Sequence, residues 1–577
     1  MPRYDDYSRE ELVRLLEARD RRDATRFGLV WETNEVEREK ALNGDFVALD
    51  LDAALSTAAT PGAEGADAEW RNLIIEGDNF DALRFLRMAY AGRVKCICID
   101  PPYNTGNRDF VYNDRYVDKD DAWRHSRWCE FMHQRLTLAK ELLAEDGVIF
   151  VHIDDIEVHH LGLLMAQIFG EQNFLGTIIW HNVTDNNPTR ISVEHEYILA
   201  FARNETGLEK VWKTSAIPIK EKLLKMAEDL KMDYPNVALR QSSYSEWFRK
   251  NKTFMWPFDR YKFIDDGGIY TGSQSVHNPG KEGYRYDVIH PETGQPCKEP
   301  MMGYRFAPET MKKLLEDGRI LFGEDETKII ELKLYVQDYK AKLPSVIEMD
   351  TRLGANELRQ MFPQEKRLFS FPKPSDLVQE LISFATSPDD IVLDFFAGSG
   401  TTGHAVLKAN AGDGGKRRFI LVSSTEATEE EPEKNLCRDV CAERVRRVIV
   451  GYGEKAGLGG DFAYLRCRRI PEGDLMEIEH SQVWTALQLM HREGLTAYAP
   501  AALHWAQDAE GALCYVPQVK AGTAREILKR AKGVPGVVVY TWQPGLMADR
   551  LAGSGHIQVE TIPQSLALKF GLGRGRA

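Results

Sequence analysis

The sequence of 577 residues lacks the features that define several large classes of protein. It has no apolar run approaching the roughly 20 residues that a membrane-spanning helix needs. Its first residues, MPRYDDYSREEL, contain no hydrophobic signal segment, so we expect a cytoplasmic protein. Its eight cysteines form no CxxC pair and no His/Cys ligand spacing, which predicts neither a disulfide framework nor a metal site.

Positive charge is also in deficit. The chain has 74 Lys and Arg against 88 Asp and Glu, a formal net charge of −14. Because phosphate contacts need Lys and Arg, this balance argues against loose, charge-driven coating of nucleic acid. It still permits a local basic groove, and it favours a basic partner or a confined nucleic-acid channel. The length predicts about two to four globular domains.

A short apolar, β-rich run is the first positive signal. Val94–Ile99 predicts a buried strand of a parallel sheet, followed by Asp100, Pro101, Pro102 and Tyr103. In open α/β sheets, ligands bind just beyond the carboxyl ends of such strands. Since the prolines remove two backbone donors, the carbonyl oxygens of Asp100 and Pro101 are left to accept hydrogen bonds from an amine. The alternative is an ordinary Asx-Pro turn with a packed tyrosine.

A glycine turn is the second signal. Residues 391–403 read IVLDFFAGSGTTG, which predicts a strand, then Asp394, a turn with Gly398 and Gly400, and a helix from about Thr401. Glycines let the backbone approach a ligand closely, and a helix N-terminus favours a polar or anionic group. No Gly-Lys-Ser/Thr follows, so this is not a P-loop. On its own the turn is also typical of an ordinary nucleotide-binding loop or a plain βα connection.

Together and in this order, the two motifs resemble the DNA amino-methyltransferases that use S-adenosylmethionine, in the permuted (beta) class where the catalytic motif precedes the cofactor motif. Longer segments resemble the modification (Mod) subunit of type III restriction–modification systems. They are IDPPYNTGNRDFVYND (99–114), DGVIFVHIDD (146–155), EHEYILAF (194–201), FPKPSDLV (371–378) and DFFAGSGTTGHAV (394–406). The resemblance covers most of residues 72–450, except for the middle.

This resemblance implies an α/β, Rossmann-like methyltransferase fold, with a mostly parallel sheet, helices on both faces, an inserted target-recognition region and a small C-terminal α/β segment. Composition favours a mobile linker at 53–68, rich in Ala, Gly, Thr and Pro. The predicted divisions are an N-terminal helical and linker segment (1–70), a catalytic half (71–203), the recognition insert (204–360), a cofactor-binding half (361–455) and a C-terminal accessory domain (456–577).

The implied reaction is methyl transfer from S-adenosylmethionine to N6 of a flipped-out adenine in duplex DNA. Asp100 and the carbonyl of Pro101 would hold the amine, and Tyr103, after Pro102, would stack on the ring. Three alternatives remain: transfer to cytosine N4, methylation of RNA or a protein amide, and a non-catalytic DNA-recognition subunit on the same scaffold. In a prokaryotic cytoplasm, the partners could include a second copy of the chain and a restriction (helicase/endonuclease) subunit.

The resemblance also implies cofactor contacts. In the glycine turn the candidates are Asp394, Phe396, Ala397, Gly398, Ser399, Gly400 and Thr401. Lys373 would lie near the ligand, and Asp78 would reach the adenine of the cofactor or its surroundings. Asp78 is also compatible with a helix N-cap. Glu426 is the nearest acid to the end of a predicted strand at 419–422, where ribose hydroxyls are commonly bound.

DNA contacts are expected from two regions. In the loop after Tyr103, Asn104, Tyr112 and Trp123 could close over the target base, although a surface loop with half-buried aromatics is the alternative. In the insert, basic residues interleaved with aromatics suit phosphate contact with stacking. These basic candidates are Arg249, Lys250, Lys252, Arg260 and Lys262. A solvated charged surface is the alternative for each cluster.

Overall fold

A computed structural model describes most of the chain. The described residues are 45–59, 69–106, 111–112, 115–116, 124–182, 190–209, 212, 218–252, 255, 258–278, 280–339, 342–365, 369–428, 431–562 and 564–570. Trp123 and a helix predicted at residues 7–22 therefore lie outside the described residues. Within them, no helix combines the length and the apolarity that crossing a membrane requires.

A ten-stranded sheet forms the centre of the molecule. In order across the sheet, the strands are Phe46–Thr57, Phe462–Ile470, Leu73–Glu76, Arg418–Ser423, Ile391–Asp394, Val94–Ile99, Leu143–Ile153, His195–Ala202, Phe174–His181 and Val346–Glu348. From Phe462–Ile470 to Leu143–Ile153, all neighbours run parallel. His195–Ala202 runs antiparallel to both of its neighbours, and Phe46–Thr57 is antiparallel to Phe462–Ile470.

Helices cover both faces of this sheet. One face packs against Asn79–Tyr90, Arg124–Leu142, Val158–Phe169 and His480–His491. The other packs against Arg352–Met361, Ser375–Ala385, Thr401–Asp413 and Glu443–Val450. Alternate residues of the strand Val94–Ile99 face the two helical layers. Ile97 and Ile99 enter the core on the first face, and Cys96 and Cys98, both free thiols, enter the core on the second face. The predicted α/β fold class, with helices on both faces, is confirmed.

Two strands lie where the sequence predicted something else. Phe46–Thr57 falls in the predicted helical and linker segment and overlaps the linker predicted at 53–68, yet it is an edge strand of the sheet. Phe462–Ile470, assigned to the accessory domain, is its neighbour. The first four residues, 46–49, are fully buried, whereas the rest of the strand is half-buried or exposed and carries mostly small and polar side chains. A partly solvated edge strand of this kind has the composition of a linker.

The middle of the chain forms a separate layer with cores of its own. It has a four-stranded sheet and three helices: Phe263–Asp265, Gly268–Ser273, Glu331–Tyr335 and Ile320–Leu321, with Pro218–Asp233, Val237–Asn251 and Pro308–Glu316. It leaves the main sheet after His195–Ala202 and returns through Val346–Glu348, which pairs with Phe174–His181. The predicted insert therefore includes, near its end, a strand that belongs to the main sheet.

The C-terminal part contains a second small α/β layer. Its sheet consists of His504–Gln507, Ala512–Val516, Val537–Thr541 and Ile557–Thr561, and its helices are Thr523–Arg530, Pro544–Arg550 and Gln564–Phe570. The last three strands run parallel. Tyr515 and Tyr540 from this sheet enter the core beneath His480–His491, which joins the layer to the main sheet.

Candidate active site

The two motif-bearing strands are neighbours. Val94–Ile99 and Ile391–Asp394 pair in parallel, with Ile97 opposite Leu393, so the residues that follow them leave the sheet at the same edge. There they line one cavity. Its lining comprises Cys98, Ile99, Asp100, His152, Phe369, Lys373, Val378, Asp394, Phe396, Ala397, Gly398, Ser399, Thr401 and Thr402. The fold thus brings together Asp100, Lys373 and most of the glycine turn, which are far apart in the sequence.

Lys373 connects the turn at residues 100–103 to another strand. Its ammonium nitrogen lies 3.2 Å from Oδ1 of Asp100 and 3.0 Å from Oε2 of Glu196, at the start of His195–Ala202. It also donates a 2.8 Å hydrogen bond to the hydroxyl of Tyr103. Burial by itself lowers the pKa of Lys373, but the carboxylates of Asp100 and Glu196 raise it, and the net direction is upward. The ammonium is therefore charged, and it balances two carboxylates in a confined space.

The ring of Tyr103 is held at its edge and at one face. Its hydroxyl donates a 2.8 Å hydrogen bond to Oε2 of Glu196. The Lys373 ammonium lies 4.9 Å from the ring centroid, a cation–π distance. Burial, followed by the charges of Asp100 and Glu196, raises the pKa of Tyr103 well above its usual range, so the phenol is neutral. The contacts with Glu196 and Lys373 therefore hold the ring of Tyr103 through its hydroxyl group.

The two prolines are fixed from below by Trp128. Its indole Nε1 donates a 2.7 Å hydrogen bond to the carbonyl oxygen of Pro102, and its side chain is fully buried. Pro101 is buried as well. Trp128 thus occupies the carbonyl oxygen of Pro102. It leaves untouched the two acceptors that the sequence predicts for a ligand amine, which are on Asp100 and Pro101.

The glycine turn is stabilised by its own first residue. Oδ1 of Asp394 accepts from the backbone N–H of Phe396 at 2.9 Å, and Oδ2 accepts from the hydroxyl of Thr402 at 2.6 Å. Burial raises the pKa of Asp394 to about 7. Gly398 and Gly400 have φ values of +49° and +78°, the left-handed region that glycine tolerates best. Asp394 therefore shapes the turn while it also lines the cavity.

A buried arginine supports this turn from behind. Arg444 is completely inaccessible and donates to the hydroxyls of Ser399 and Thr401 at 3.1 and 2.7 Å. Its other terminal nitrogen lies 3.0 Å from Glu357, an ion pair that compensates the buried charge. The sequence does not single out Arg444, because a helical pattern does not reveal which basic residue turns inward.

Two predicted cofactor residues lie away from the cavity lining. Asp78 caps the helix Asn79–Tyr90, accepting from the backbone N–H of Phe80 at 2.8 Å, and pairs with Arg135. This is the N-cap alternative that the sequence left open. Glu426 is in an exposed loop with φ +51° and forms an ion pair with Lys434 at 3.0 Å. Neither residue is part of the cavity lining, and their contacts with the cofactor stay predictions.

The structure places the predicted DNA contact Asn104 inside the protein, and its contact with DNA stays a prediction. Its side chain is fully buried, and its amide nitrogen donates a 2.6 Å hydrogen bond to Oε1 of Glu157. Its φ of +59°, which asparagine adopts more readily than most residues, lets the chain turn inward directly after Tyr103. Tyr112 belongs to a short strand, Val111–Tyr112, but its side chain lies outside the described residues.

Among the described residues, Glu157 forms a cluster with His125 and His160 whose ligand atoms are close enough to hold a metal ion. Nδ1 of His125 lies 2.6 Å from one of its oxygens, and Nδ1 of His160 lies 2.9 Å from the other. However, Nε of Arg124 donates to Nε2 of His125 at 3.2 Å, which puts the proton of a neutral His125 on Nδ1, facing the carboxylate. This arrangement favours hydrogen bonding over metal ligation, and it anchors Asn104 directly after the turn at residues 100–103.

The basic candidates of the insert are exposed, as phosphate contacts require. Arg249 and Lys250 are in the last turn of the helix Val237–Asn251, and Lys250 pairs with Glu246. Lys252, Arg260 and Lys262 are exposed nearby in the sequence. None of these five lines the cavity.

Two functional candidates were missed, Glu196 and His152. Glu196 binds Lys373 and Tyr103, and it also accepts from the amide of Asn182 at 2.9 Å. His152 lines the cavity while being only 1% exposed. Both lie in segments that carry the family resemblance. Their contacts depend on the pairing of strands across the sheet, which the sequence does not display.

Comparison with known proteins places these features in a family. The family described as DNA methylase matches residues 94–426, more than half of the chain. The chain is 47% identical over 405 residues to the Mod subunit of the type III restriction-modification enzyme EcoP15I of Escherichia coli, covering 65% of this chain and 63% of that protein. It is 31% identical over 409 residues to the StyLTI Mod subunit of Salmonella typhimurium, covering 65% and 57%. For the EcoPI Mod subunit of Escherichia phage P1 the identity is 33% over 407 residues, covering 62% and 58%. The chain thus spans about three fifths of the length of these relatives.

Proposed function

The chain belongs to the DNA methylase family, as its motifs predicted, and from that premise we propose that it transfers a methyl group from S-adenosylmethionine to N6 of an adenine in duplex DNA. The observation that carries the proposal is the shared cavity of Asp100 and the glycine turn. The methyl donor and the acceptor amine must be aligned with each other. Of the two adjacent parallel strands, one leads to Asp100, which would hold the amine, and the other leads to the glycine turn, which would hold the donor. Alignment of this kind can lower a barrier by roughly 7–11 kcal/mol.

The glycine turn suits a cofactor that needs close approach to the backbone. A Cβ at Gly398 would lie 2.9 Å from Cζ of Phe369, and a Cβ at Gly400 would lie 2.9 Å from the carbonyl oxygen of Cys441. When bound, S-adenosylmethionine supplies an electrophilic methyl group on a positively charged sulfur. The residues that would hold it are Lys373, Asp394, Phe396, Ala397, Gly398, Ser399, Gly400 and Thr401. Asp78 and Glu426 stand outside this set.

The catalytic turn would act on the amine of the base. The oxygens of Asp100 and Pro101 would accept its two hydrogens, which directs the nitrogen lone pair out of conjugation with the ring, and Tyr103 would stack on the ring. The adenine must leave the duplex first, at a cost of a few kcal/mol. Lys373 keeps the carboxylates of Asp100 and Glu196 together with one positive charge between them.

The relatives' names support a cellular role. All three are Mod subunits of type III restriction-modification enzymes. We infer that this chain is also a modification subunit, acting with a second copy of itself and with a restriction subunit. The insert would then contact DNA through the exposed side chains of Arg249, Lys250, Lys252, Arg260 and Lys262. A confined basic surface reconciles DNA binding with the net charge of −14.

The direct test is incubation of the protein with tritiated S-adenosylmethionine and unmethylated genomic DNA, RNA or neither, followed by digestion to nucleosides. Label in N6-methyladenine is the expected result. Label in N4-methylcytosine or in RNA would identify one of the alternative reactions. Donor binding by calorimetry without any transfer would identify a non-catalytic subunit.

Asp100→Ala is the matching variant. It should abolish transfer and leave donor affinity within a few-fold, because the carboxylate faces the acceptor amine. Asp146→Ala is the control, since Asp146 is half exposed and pairs with Lys95 at the opposite end of the same strands. Near-normal turnover in Asp100→Ala would remove the role assigned to this residue.

A further inference from the structure

His152 is a buried polar side chain without a partner. It is 1% exposed, and neither ring nitrogen has a hydrogen-bond partner among the described residues. It lines the cavity, and its ring meets the indole of Trp180 edge-on at 6.4 Å between centroids. Burial, followed by the charge of Lys373, lowers the pKa of His152 to about 3, so the ring is neutral. A neutral imidazole has one N–H donor and one acceptor, and proteins rarely bury both unsatisfied.

The strand order fixes the side of Asp100 on which His152 lies. Ile99 pairs with Val151, so His152 is level with Asp100 on the neighbouring strand Leu143–Ile153. The strand on the other side of Asp100 is Ile391–Asp394, which leads into the glycine turn. Asp100 therefore separates two sides of one cavity. If the glycine turn holds the methyl donor, the side of His152 is left for the acceptor base.

We propose that His152 is a specificity-determining residue that donates a hydrogen bond from its neutral ring to the unprotonated ring nitrogen next to the exocyclic amine of the target base. This inference rests on the proposed function and deepens it. In adenine that nitrogen is N1, adjacent to N6. Asp100 would take the amine and His152 the neighbouring nitrogen, so two side chains on adjacent strands read two adjacent atoms of one base edge.

The chemistry of this pair selects a class of bases. A base with an amine beside an acceptor nitrogen satisfies both Asp100 and the His152 donor. In hypoxanthine and guanine the ring nitrogen N1 carries a hydrogen. That N–H donor would face the N–H donor of His152, and no hydrogen bond could form. Sites built from buried polar groups reject such analogues strongly, because the groups of the protein are left unpaired. His152 therefore acts on base selection, whereas Asp100 acts on the reacting nitrogen.

The test combines a variant with a substrate analogue. In 1-deazaadenine, N1 is replaced by C–H and the amine is retained. For wild-type protein, kcat/KM should fall about ten- to hundredfold when 1-deazaadenine replaces the target adenine, the loss expected for one unpaired buried donor. His152→Phe should show a similar loss on adenine and no further loss on 1-deazaadenine. Because both proteins meet the same duplexes, differences in base extrusion cancel in the comparison.

Stability gives a second readout that does not need turnover. Replacing an unsatisfied imidazole by a ring of similar shape removes two buried, unpaired nitrogens, so the free His152→Phe protein should melt at the same temperature as wild type or higher. The matched control is His504→Phe. His504 is 8% exposed with an unpartnered Nε2, but it lies in the C-terminal layer away from the cavity. It should leave turnover unchanged.

Rescue by a conservative change completes the design. His152→Asn and His152→Gln place an amide N–H near the positions of Nδ1 and Nε2, and one of them should restore discrimination against 1-deazaadenine. If His152→Phe lowers kcat/KM by the same factor relative to wild type on each duplex, so that the preference for adenine over 1-deazaadenine is kept, or if it lowers the melting temperature with unchanged base selection, the role of His152 is packing and the inference is overturned. A wild-type protein that methylates no adenine would overturn the proposed function and this inference together, whereas the former results overturn the inference alone.

Discussion

The ammonium nitrogen of Lys373 lies 3.2 Å from Oδ1 of Asp100, and this contact joins the two halves of the methylase domain. Asp100 precedes the long insert and Lys373 follows it. Asp100 therefore acquires its counter-ion only after the segments on both sides of the insert have packed together. The geometry of the active site is coupled in this way to the folding of the complete sheet.

Lys373→Met should destabilise the protein markedly. The variant leaves Asp100 and Glu196 as neighbouring carboxylates without a cation, and removing one partner of a buried pair typically costs 3–5 kcal/mol. Since Asp100 and Glu196 remain 32% and 20% exposed, we expect the lower end, about 3 kcal/mol. Urea unfolding at neutral pH measures it. The control, Lys95→Met, breaks the ion pair with the half-exposed Asp146 and should cost about 1 kcal/mol or less. If the free energy of unfolding falls equally in the two variants, the buried Lys373 ion pairs stabilise the protein no more than the exposed Lys95 pair does.

Gly398→Ala should weaken binding of the methyl donor. An added Cβ would meet the ring of Phe369 at 2.9 Å, in a residue whose φ is +49°. Gly414→Ala is the matched control, because Gly414 has φ +72° but no atom within 4 Å of the added Cβ. Both variants should lose roughly 1 kcal/mol of stability through the unfavourable φ. Only Gly398→Ala should also lose donor affinity in calorimetry, and unchanged affinity there would place the donor elsewhere.

The sequence was sufficient for the fold class and for the central motifs. Val94–Ile99 and the turn at 394–400 are local patterns, an apolar strand and a glycine turn, and each was predicted where the structure has it. Phe46–Thr57 could not be recognised, because its outer half faces solvent at the sheet edge and has the composition of a linker. Its identity as a strand comes from its partner, Phe462–Ile470, far along the chain.

The site was predicted less completely, for the same reason. Asp100 and Lys373 are in motifs, but their direct contact is a tertiary one. Glu196 and His152 enter the site through strand pairing, and Asn104 leaves the surface because Glu157 binds it. Glu426 follows a strand, as the ribose-binding pattern requires, and in the structure its side chain pairs with Lys434. Sequence patterns locate strand ends, whereas the direction of each side chain depends on its neighbours.

Asp394→Asn should change how stability depends on pH. The pKa of Asp394 is raised by burial from 3.8 to about 7, so the folded protein binds this proton more tightly than the unfolded chain. Its contribution to stability is complete below pH 3.8 and is lost as pH rises through about 7, at roughly 1.4 kcal/mol per pH unit in between. Asparagine does not titrate. The variant should therefore gain stability relative to wild type between pH 4 and 7, with the difference constant above about pH 8.

Urea unfolding of both proteins at several pH values checks this, and Asp413→Asn provides a control of opposite sign. Asp413 is partly buried, but Arg417 lowers its pKa below the usual value. Its contribution is present at neutral pH and is lost on acidification, so Asp413→Asn should cost more at pH 7 than at pH 3. If Asp394→Asn follows wild type at every pH, the carboxyl of Asp394 is solvated and the pH argument is wrong.

The last prediction concerns Tyr103, where packing and stacking can be separated. Tyr103→Phe keeps the ring and removes the hydroxyl, which leaves Glu196 and Lys373 still paired with each other at 3.0 Å. We expect a loss of about 1 kcal/mol, or roughly fivefold in turnover. The effect is limited because only a hydroxyl is lost, but this hydroxyl holds the ring in place through two hydrogen bonds.

Tyr103→Ala should be more severe on matched DNA. It removes a stacking contribution of about 1–3 kcal/mol, or roughly ten- to hundredfold in affinity for the flipped base. The defect should shrink when the target adenine is mispaired, because less work is then needed to extrude it. If Tyr103 is only a packing residue, Tyr103→Ala lowers the melting temperature and a mismatch rescues nothing. Activity on matched and mismatched duplexes, with thermal melts of both variants, distinguishes the two roles. Equal losses on both duplexes, together with a lowered melting temperature, would rule out stacking on the base.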